Sequence, residues 1–539
     1  MHDAWELYRG AGMEALWRRC LGHLDLAVEQ TMAIQHRMLA EQLRLLDASE
    51  LGRRLFGTAH PEHIDDLREI VPLTTYEDYA WALAERRSDV LPAKPYTWLR
   101  TSGRELGGER WYPVSEAQYE QLRWLSMGMA LAATARDRGH IALTDRTRLL
   151  NFMPPPPYIS GLLTRAIEDM WPVRSYPPRD LDGGDFHERN RVAVRQALEG
   201  GVDLVASLAA VMPRIGDAIG QQQSGGSASA MLRRPRTTAR VAAARASAFA
   251  AARAVYPRDL WRIQGAVTGG VDSSLFRDRI RTMWGREPLD TLANTEAGVI
   301  GFQAWDYTSM TLVPYLNFYE FLPDDEGGRE RDDPTYRPRT VLLDGLEAGR
   351  NYELVVTNLL GGPVVRFRTG DIVRVTSMGN ANIGSSQPQI VHYGRTGNLV
   401  EIGGFVRLSA TLIGEAIAAA GIPTAGWSAR KEVEGNDPIV HVRLEPTFGA
   451  PPAHEARRLL DEQLGRIDAN WADMAEIAGL HPLRVTYLPE GSFERYAASR
   501  NGRSGLRPVA NGRDSGVCEV NPDDGAIREL MIAGGAAES

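Results

Sequence analysis

The chain has 539 residues, 43% of them hydrophobic and 24% charged, with a formal net charge of -8. That length exceeds one ordinary core and predicts a large domain with a smaller one, while the composition excludes a disordered chain and the charge gives no basis for a nucleic-acid partner. Two cysteines, Cys20 and Cys518, stand at opposite ends, so neither a disulfide framework nor a cysteine-rich metal site is available. Lys94 and Lys431 are the only lysines among 61 basic residues, so any chemistry that needs a lysine has two candidates. No apolar run reaches bilayer length, and "MHDAWELYRG" lacks the positive charge and apolar run of a signal peptide; a cytoplasmic protein with no membrane partner is expected.

In chain order, residues 1 to 55 carry apolar side chains at helical spacing and predict helices. "EIVPLTTYEDY" predicts a short extended piece and a helix start, with Thr74 or Thr75 as cap. "RTSGRELGGERWYP", Arg100 to Pro113, is a glycine-rich run ahead of a helix expected from about Ser115, and Gly103, Gly107 and Gly108 would let backbone approach an anion. A plain glycine turn before a helix has the same pattern. "RLLNFMPPPPYISG" predicts a strand running into a proline-rich loop. The alanine-rich "TTARVAAARASAFAAARAVYP" predicts a helix whose arginines form a solvated face.

Three further pieces carry chemistry. "VTGG" (267 to 270) predicts a strand ending in two glycines, where a flat ring could lie on backbone or where the chain simply turns. "LANTEAG" (292 to 298) places Asn294, Thr295 and Glu296 together between apolar segments. A carboxylate among hydroxyl and amide neighbours suits Mg²⁺, and the same three residues would serve as a helix N-cap. In "VVRFRTGDIVRV" (364 to 375) Asp371 follows a glycine turn between two strands, and one carboxylate offers two acceptors to the two hydroxyls of a ribose. After "HYGRTGNLVEIGG" the order helix, strand, long helix from about 453 to 470, strand predicts a compact α+β domain. Residues 497 to 539, rich in glycine, arginine and asparagine, are expected to be partly mobile. There is no internal repeat.

The order and spacing of these pieces resemble the adenylate-forming superfamily, and within it the plant auxin-conjugating acyl-acid amido synthetases and their bacterial relatives. The resemblance rests on "TSG...GGERWYPVSEAQ", "LANTEAG", "YELVVTN" and "RFRTGDIVRVT", and runs over nearly the whole length. It implies a large N-terminal domain of layered sheets and helices (α/β, residues 1 to 396) and a small mobile α+β domain (397 to 539), with a hinge near Arg395. It also implies activation of a small carboxylic acid, aromatic acids included, by ATP as an acyl-adenylate, followed by attack of an amine or amino acid.

Carried over by motif, Ser102, Gly103, Gly107 and Gly108 would hold phosphate, and Gly269 and Gly270 would flank adenine. Asn294 and Thr295 would bind nucleotide, Thr295 and Glu296 would serve the α-phosphate and Mg²⁺, and Asp371 and Arg395 would bind ribose or phosphate. Three departures stand out. Arg104, Glu105 and Leu106 replace a hydroxyl pair in the phosphate loop. Leu292 and Phe367 stand where the family has an adenine-stacking aromatic and a tyrosine. No lysine lies near the C-terminus, where Arg503 or Arg507 would have to substitute with different geometry. Arg104 and Arg507 therefore join Thr295 and Glu296 as candidate catalytic residues. An acyl-CoA ligase of the same fold and a non-catalytic relative that binds acid or nucleotide are the alternatives.

Overall fold

The computed structural model describes residues 2–105, 108–222, 235–270, 273–333, 335–396, 399–402, 406–435, 437–468, 471–472, 474, 481–499, 517–520 and 524–533. The chain divides into two compact units, one of residues 1–101 with 110–395 and one of residues 102–109 with 396–539. Among the described residues no helix is long and apolar enough to cross a membrane.

The glycine-rich run is more extended than its composition suggests. Strands β1 (Pro95–Glu105) and β2 (Gly108–Ser115) pair as a two-stranded sheet, and the helix Glu116–Thr134 starts directly after it. Ser115 caps that helix: its hydroxyl accepts from the Gln118 amide at 3.0 Å, while the Gln118 side chain accepts from the Ser115 amide at 3.1 Å.

The first unit is built on one eleven-stranded sheet. Strands β3 (Arg148–Asn151), β4 (Arg174–Tyr176), β5 (Leu204–Leu208), β6 (Gly265–Gly269) and β7 (Leu289–Asn294) form a parallel half in the order β4-β3-β5-β6-β7. Strands β8 (Gly298–Gln303), β9 (Met310–Leu312), β10 (Asn317–Pro323), β11 (Asn351–Asn358), β12 (Phe367–Ser377) and β13 (Gln389–Arg395) continue it antiparallel, in the order β8-β9-β13-β12-β11-β10. β10 is buried along its whole length and β11 along nearly all of its own, and their polar side chains Asn317, Glu320, Glu353 and Asn358 are buried with them. One buried cluster joins the helices Asp3–Leu21, Glu116–Thr134 and Ile159–Met170 to the sheet; a second joins the helix Val28–Ala48 to the antiparallel half.

The turn that leads into β12 is held by buried charge. Glu320 of β10 accepts from Arg366 Nε at 3.0 Å, Arg366 Nη2 at 3.1 Å and Arg68 Nε at 3.0 Å, and is 1% exposed. Arg366 also donates to the Val71 carbonyl at 2.6 Å and has φ of 47°, left-handed backbone that a non-glycine residue adopts only when its surroundings impose it. Burial alone would raise the Glu320 pKa; the guanidiniums of Arg366 and Arg68 outweigh it and hold the carboxyl below its ordinary value.

The second unit contains β14 (Leu399–Ile402), β15 (Val406–Ser409), β16 (Thr424–Glu434), β17 (Asp437–Pro446), β18 (Leu483–Tyr487) and β19 (Val517–Val520). β14 pairs with β15, and the other four form a sheet in the order β18-β17-β16-β19. The tail expected to be mobile contributes β19, parallel to β16, and the helix Asp524–Ala533. Glu432 is held here by Arg430, Arg443 and His441, whose hydrogen bonds bring its pKa down to about 2 despite burial.

Glu320→Gln removes the charge opposite two arginines while keeping the shape of the side chain. It is expected to lower the stability of the first unit by about 3–5 kcal/mol, read from denaturant unfolding. Because the Glu320 pKa is depressed in the folded state, the wild type's advantage should be present above the ordinary glutamate pKa and shrink as pH falls below it.

Candidate functional site

The C-terminal ends of parallel strands in an open sheet are where ligands sit. Here β6 ends at Gly269, and Gly270 follows with φ of 112°, a conformation that favours glycine. The neighbouring strand β7 pairs Thr268 with Asp290 and Gly269 with Thr291, so bare backbone lies beside two oxygen-bearing side chains. A Cβ added to Gly269 would come 3.4 Å from Thr291 Oγ1.

Beyond β7 the chain does not enter a helix. Thr295, Glu296 and Ala297 form a tight turn into β8, and the Asn294 carbonyl oxygen of the side chain accepts from the Ala297 amide at 2.7 Å, so Asn294 caps a turn between two strands. Its side-chain amide then donates to Asp371 Oδ2 at 3.0 Å. Asn294 is 7% exposed and Asp371 3%. Asn358 donates to the Glu296 carbonyl at 3.0 Å and to Asn317 Oδ1 at 2.9 Å, and Asn317 donates to the Ala297 carbonyl at 2.7 Å, which fixes the turn from the antiparallel side.

Asp371 lies in β12, opposite Arg395 of β13. Its Oδ1 is 3.3 Å from His392 Nε2 and 3.4 Å from Arg395 Nε. The Thr369 hydroxyl accepts from the Asp371 amide at 3.1 Å and donates to the Leu354 carbonyl at 2.9 Å. Arg395 also donates to the Thr369 carbonyl and comes within 4.0 Å of Glu296 Oε1. The structure thus brings Asn294, Thr295, Glu296, Asp371 and Arg395 to one place. Gly269 and Gly270 lie at the adjoining strand end.

Two residues at this place carried no signal in the motif reading. Asp290 is partly buried at β7, and burial raises its pKa to about 6, offset in part by the Ser273 hydroxyl, Arg277, the Thr291 amide and His392. An acid inside an apolar strand pattern, "PLDTLAN", was the available sign. His392 has only its position three residues before Arg395 to mark it.

Leu292, at the position of the family's aromatic, is 7% exposed and packs in the second core cluster. Phe367 is in the same cluster, edge-on to Tyr112. Ser102, Gly103 and Arg104 belong to β1 and Gly108 to β2; the side chains of Ser102 and Arg104 lie outside the described residues, as do Gly107, Arg503 and Arg507. Lys94 lines a different place, an open cavity of about 810 Å³ together with Tyr96, Tyr119 and Arg123.

Among the described residues no three His, Cys, Asp or Glu side chains form a metal cluster. Glu296 is the carboxylate of the β7–β8 turn, and a single carboxylate with phosphate oxygens and water is a set that fits Mg²⁺.

The GH3 family N-terminal domain matches residues 20–166 and the GH3 family central domain residues 310–395. The chain is similar to indole-3-acetic acid-amido synthetase GH3.8 of Oryza sativa subsp. indica, 44% identical over 73 residues, 14% of this chain and 11% of that protein. It is similar to indole-3-acetic acid-amido synthetase GH3.3 of Arabidopsis thaliana, 28% identical over 207 residues, 36% of this chain and 32% of that protein. The similarity therefore spans about a third or less of each relative. Among solved structures, the acyl acid amido synthetase AtGH3.15 in complex with 2,4-DB superposes with a TM-score of 0.54 at 15% identity, covering 97% of this chain and 96% of that one. A 2-hydroxyisobutyryl-CoA ligase in complex with 2-HIB-AMP and CoA gives 0.58 at 13% identity, covering 96% and 94%. The fold is shared with both of these structures.

The Asp290 environment makes a prediction. The folded chain binds the Asp290 proton more tightly than the unfolded chain, so wild-type stability falls as pH rises from about 4 to about 6 and stays lower above that. Asp290→Asn removes this penalty: it should stabilise the protein by up to about 3 kcal/mol at pH 7.5, with the gain vanishing towards pH 4. Paired urea unfolding of wild type and variant at the two pH values checks it.

Proposed function

We propose, from the match of residues 20–166 and 310–395 to the N-terminal and central domains of the GH3 family, that this chain activates a small carboxylic acid with ATP and passes the acyl group to an amine. In the first step a carboxylate oxygen attacks the α-phosphorus, the bond to the β-phosphate bridging oxygen breaks, and acyl-adenylate and pyrophosphate form. In the second an amine nitrogen attacks the acyl carbonyl, loses its proton and expels AMP. Aromatic acids are the favoured substrates and amino acids the favoured amines, by similarity to relatives named for indole-3-acetic acid.

The observation that carries this reading is the enclosed Asp371, held on both oxygens at the mouth of β6 and β7. One carboxylate offers two acceptor oxygens to the two hydroxyls of a ribose. On that assignment adenine lies on Gly269 and Gly270, and Asp290 provides an acceptor for its exocyclic amine. The ribose points the phosphates towards the β7–β8 turn, where Thr295 offers a hydroxyl to the α-phosphate. Arg395, between Asp371 and Glu296, places a fixed cation near the ribose and α-phosphate, and Asn294 positions Asp371. Ser102 and the backbone of Gly103, Gly107 and Gly108 hold the outer phosphates. Glu296 would hold Mg²⁺, which when bound supplies positive charge against the triphosphate.

The first step aligns an anion with a polyanion, so cations aimed at the developing charge are its main requirement. With no lysine near the C-terminus, that part falls to Arg104 and Arg507.

Pyrophosphate release measured over a broad panel of acids tests the reading, and dependence on a particular acid is expected. No release with any acid overturns it, and ATP binding without turnover would make the protein a non-catalytic relative. Consumption of coenzyme A in place of an amine would make it an acyl-CoA ligase. Glu296→Ala should reduce release by about 10²-fold or more. Arg104→Ala should abolish it, and unchanged release in that variant rules the Arg104 role out.

A further inference from the structure

Among the described residues, Asp371 Oδ2 takes a short contact from Asn294 Nδ2 at 3.0 Å, whereas Oδ1 takes longer ones from His392 Nε2 at 3.3 Å and Arg395 Nε at 3.4 Å. A carboxylate turns about its Cβ–Cγ bond unless both oxygens are held. Arg395 is not dedicated to that task, since it also bonds the Thr369 carbonyl and lies near Glu296. His392 is placed for it: the ring is rigid beyond two torsions, 10% exposed, and projects from the strand paired with that of Asp371.

We infer that His392 is a positioning residue that fixes the plane of the Asp371 carboxylate and so makes the nucleotide site selective for an intact 2′,3′-diol. The inference rests on the proposed function, because it assumes that a ribose is the group Asp371 receives. To donate to the carboxylate, Nε2 of His392 must carry a hydrogen, as the neutral Nε2–H tautomer or as imidazolium. The longer Arg395 contact is the one that yields when a hydroxyl arrives, while His392 and Asn294 keep the carboxylate plane in place. The charged and titratable groups that face His392 are Asp371 and Arg395 at its Nε2 side and Asp290 across the site. The imidazole is in contact with the acid proposed for the sugar and within electrostatic range of the acid proposed for the base.

The test compares full-length wild type, His392→Phe, His392→Leu and His392→Gln, using acid-dependent pyrophosphate release with ATP or 3′-deoxy-ATP and calorimetric binding of AMP. The apolar variants should raise the KM for ATP about tenfold, the fold-change of one hydrogen bond to a charged group. Their kcat should stay within about twofold, since no reacting atom is touched. Their preference for ATP over 3′-deoxy-ATP should collapse, and His392→Gln, whose amide nitrogen reaches towards the Nε2 position, should retain most of it. Unchanged KM and unchanged diol preference in both apolar variants, with AMP binding intact in wild type, overturns the inference and leaves the proposed function standing. A wild type that neither binds AMP nor releases pyrophosphate overturns both. A fall in kcat with unaltered diol preference would mark His392 as merely structural and also counts against the inference.

Discussion

The hydrogen bond from Asn294 to Asp371 joins two parts of the sheet that strand order keeps far apart. Four steps separate β7 from β12 in the sheet, and β9, the short strand between, pairs with β13 through Gln389 and Ile390 only. The far ends of β12 and β13 are thus not tied to β9, and they converge on the end of β7. A parallel half that supplies a glycine shelf and an antiparallel half that supplies a carboxylate meet at one buried polar contact. Buried polar groups must be paired or they cost stability, so this contact makes correct folding of both halves a condition of forming the site.

Buried arginine is the recurrent means of holding the parts that converge there. Arg366 is locked against Glu320 just before Phe367 opens β12, and Arg368 pairs with Glu353 and Glu330 two residues on. Planar guanidinium groups satisfy several acceptors at fixed angles, which suits them to pinning a turn whose backbone is itself unfavourable. The left-handed Arg366 is stable because its side chain is overdetermined, with Glu320 on one side and the Val71 carbonyl on the other. A chain with two lysines and otherwise arginine has spent its basic residues on geometry as much as on charge.

The fold was legible in the sequence because its signals are local. Strands rich in β-branched residues, the Ser115 cap and the glycine pair after β6 each follow from a few neighbouring residues. The sequence also suggested a helix cap at Asn294, and there the structure differs: the side chain caps a turn between strands, because Gly298, with φ of 72°, turns the chain straight back into β8. The sequence suggested a glycine turn between two strands at "RTGD", and there too the structure differs: Arg368 to Asp371 run inside β12, where Gly370 takes φ of 74° without ending the strand; that Asn294 and His392 would meet the carboxylate was not readable. Residues 294, 371 and 392 are brought together by strand order and register, and register is not written in any short stretch. Asp290 was hidden for a related reason. One acid among apolar residues has meaning only once the neighbouring strand is known to end in bare glycines.

Crowding around Asp371 bears on how a ligand would enter. A carboxylate with a donor on each oxygen is already partly satisfied, so an incoming diol exchanges contacts more than it adds them. Exchange is favourable when the contacts surrendered are weak, and those at Oδ1 are longer than the one at Oδ2. The site therefore has one oxygen held at short range by Asn294 and one shared between His392 and the longer contact to Arg395, whose guanidinium also reaches towards Glu296. Departures from the family pattern fit the same economy. Leu292 packs in the core and offers no ring at the family's stacking position, so on the proposed assignment an edge contact such as Asp290 would have to read the base. A site that loses stacking area gains more from rigid polar geometry, and that geometry is what Asn294, His392 and Arg395 impose on one carboxylate.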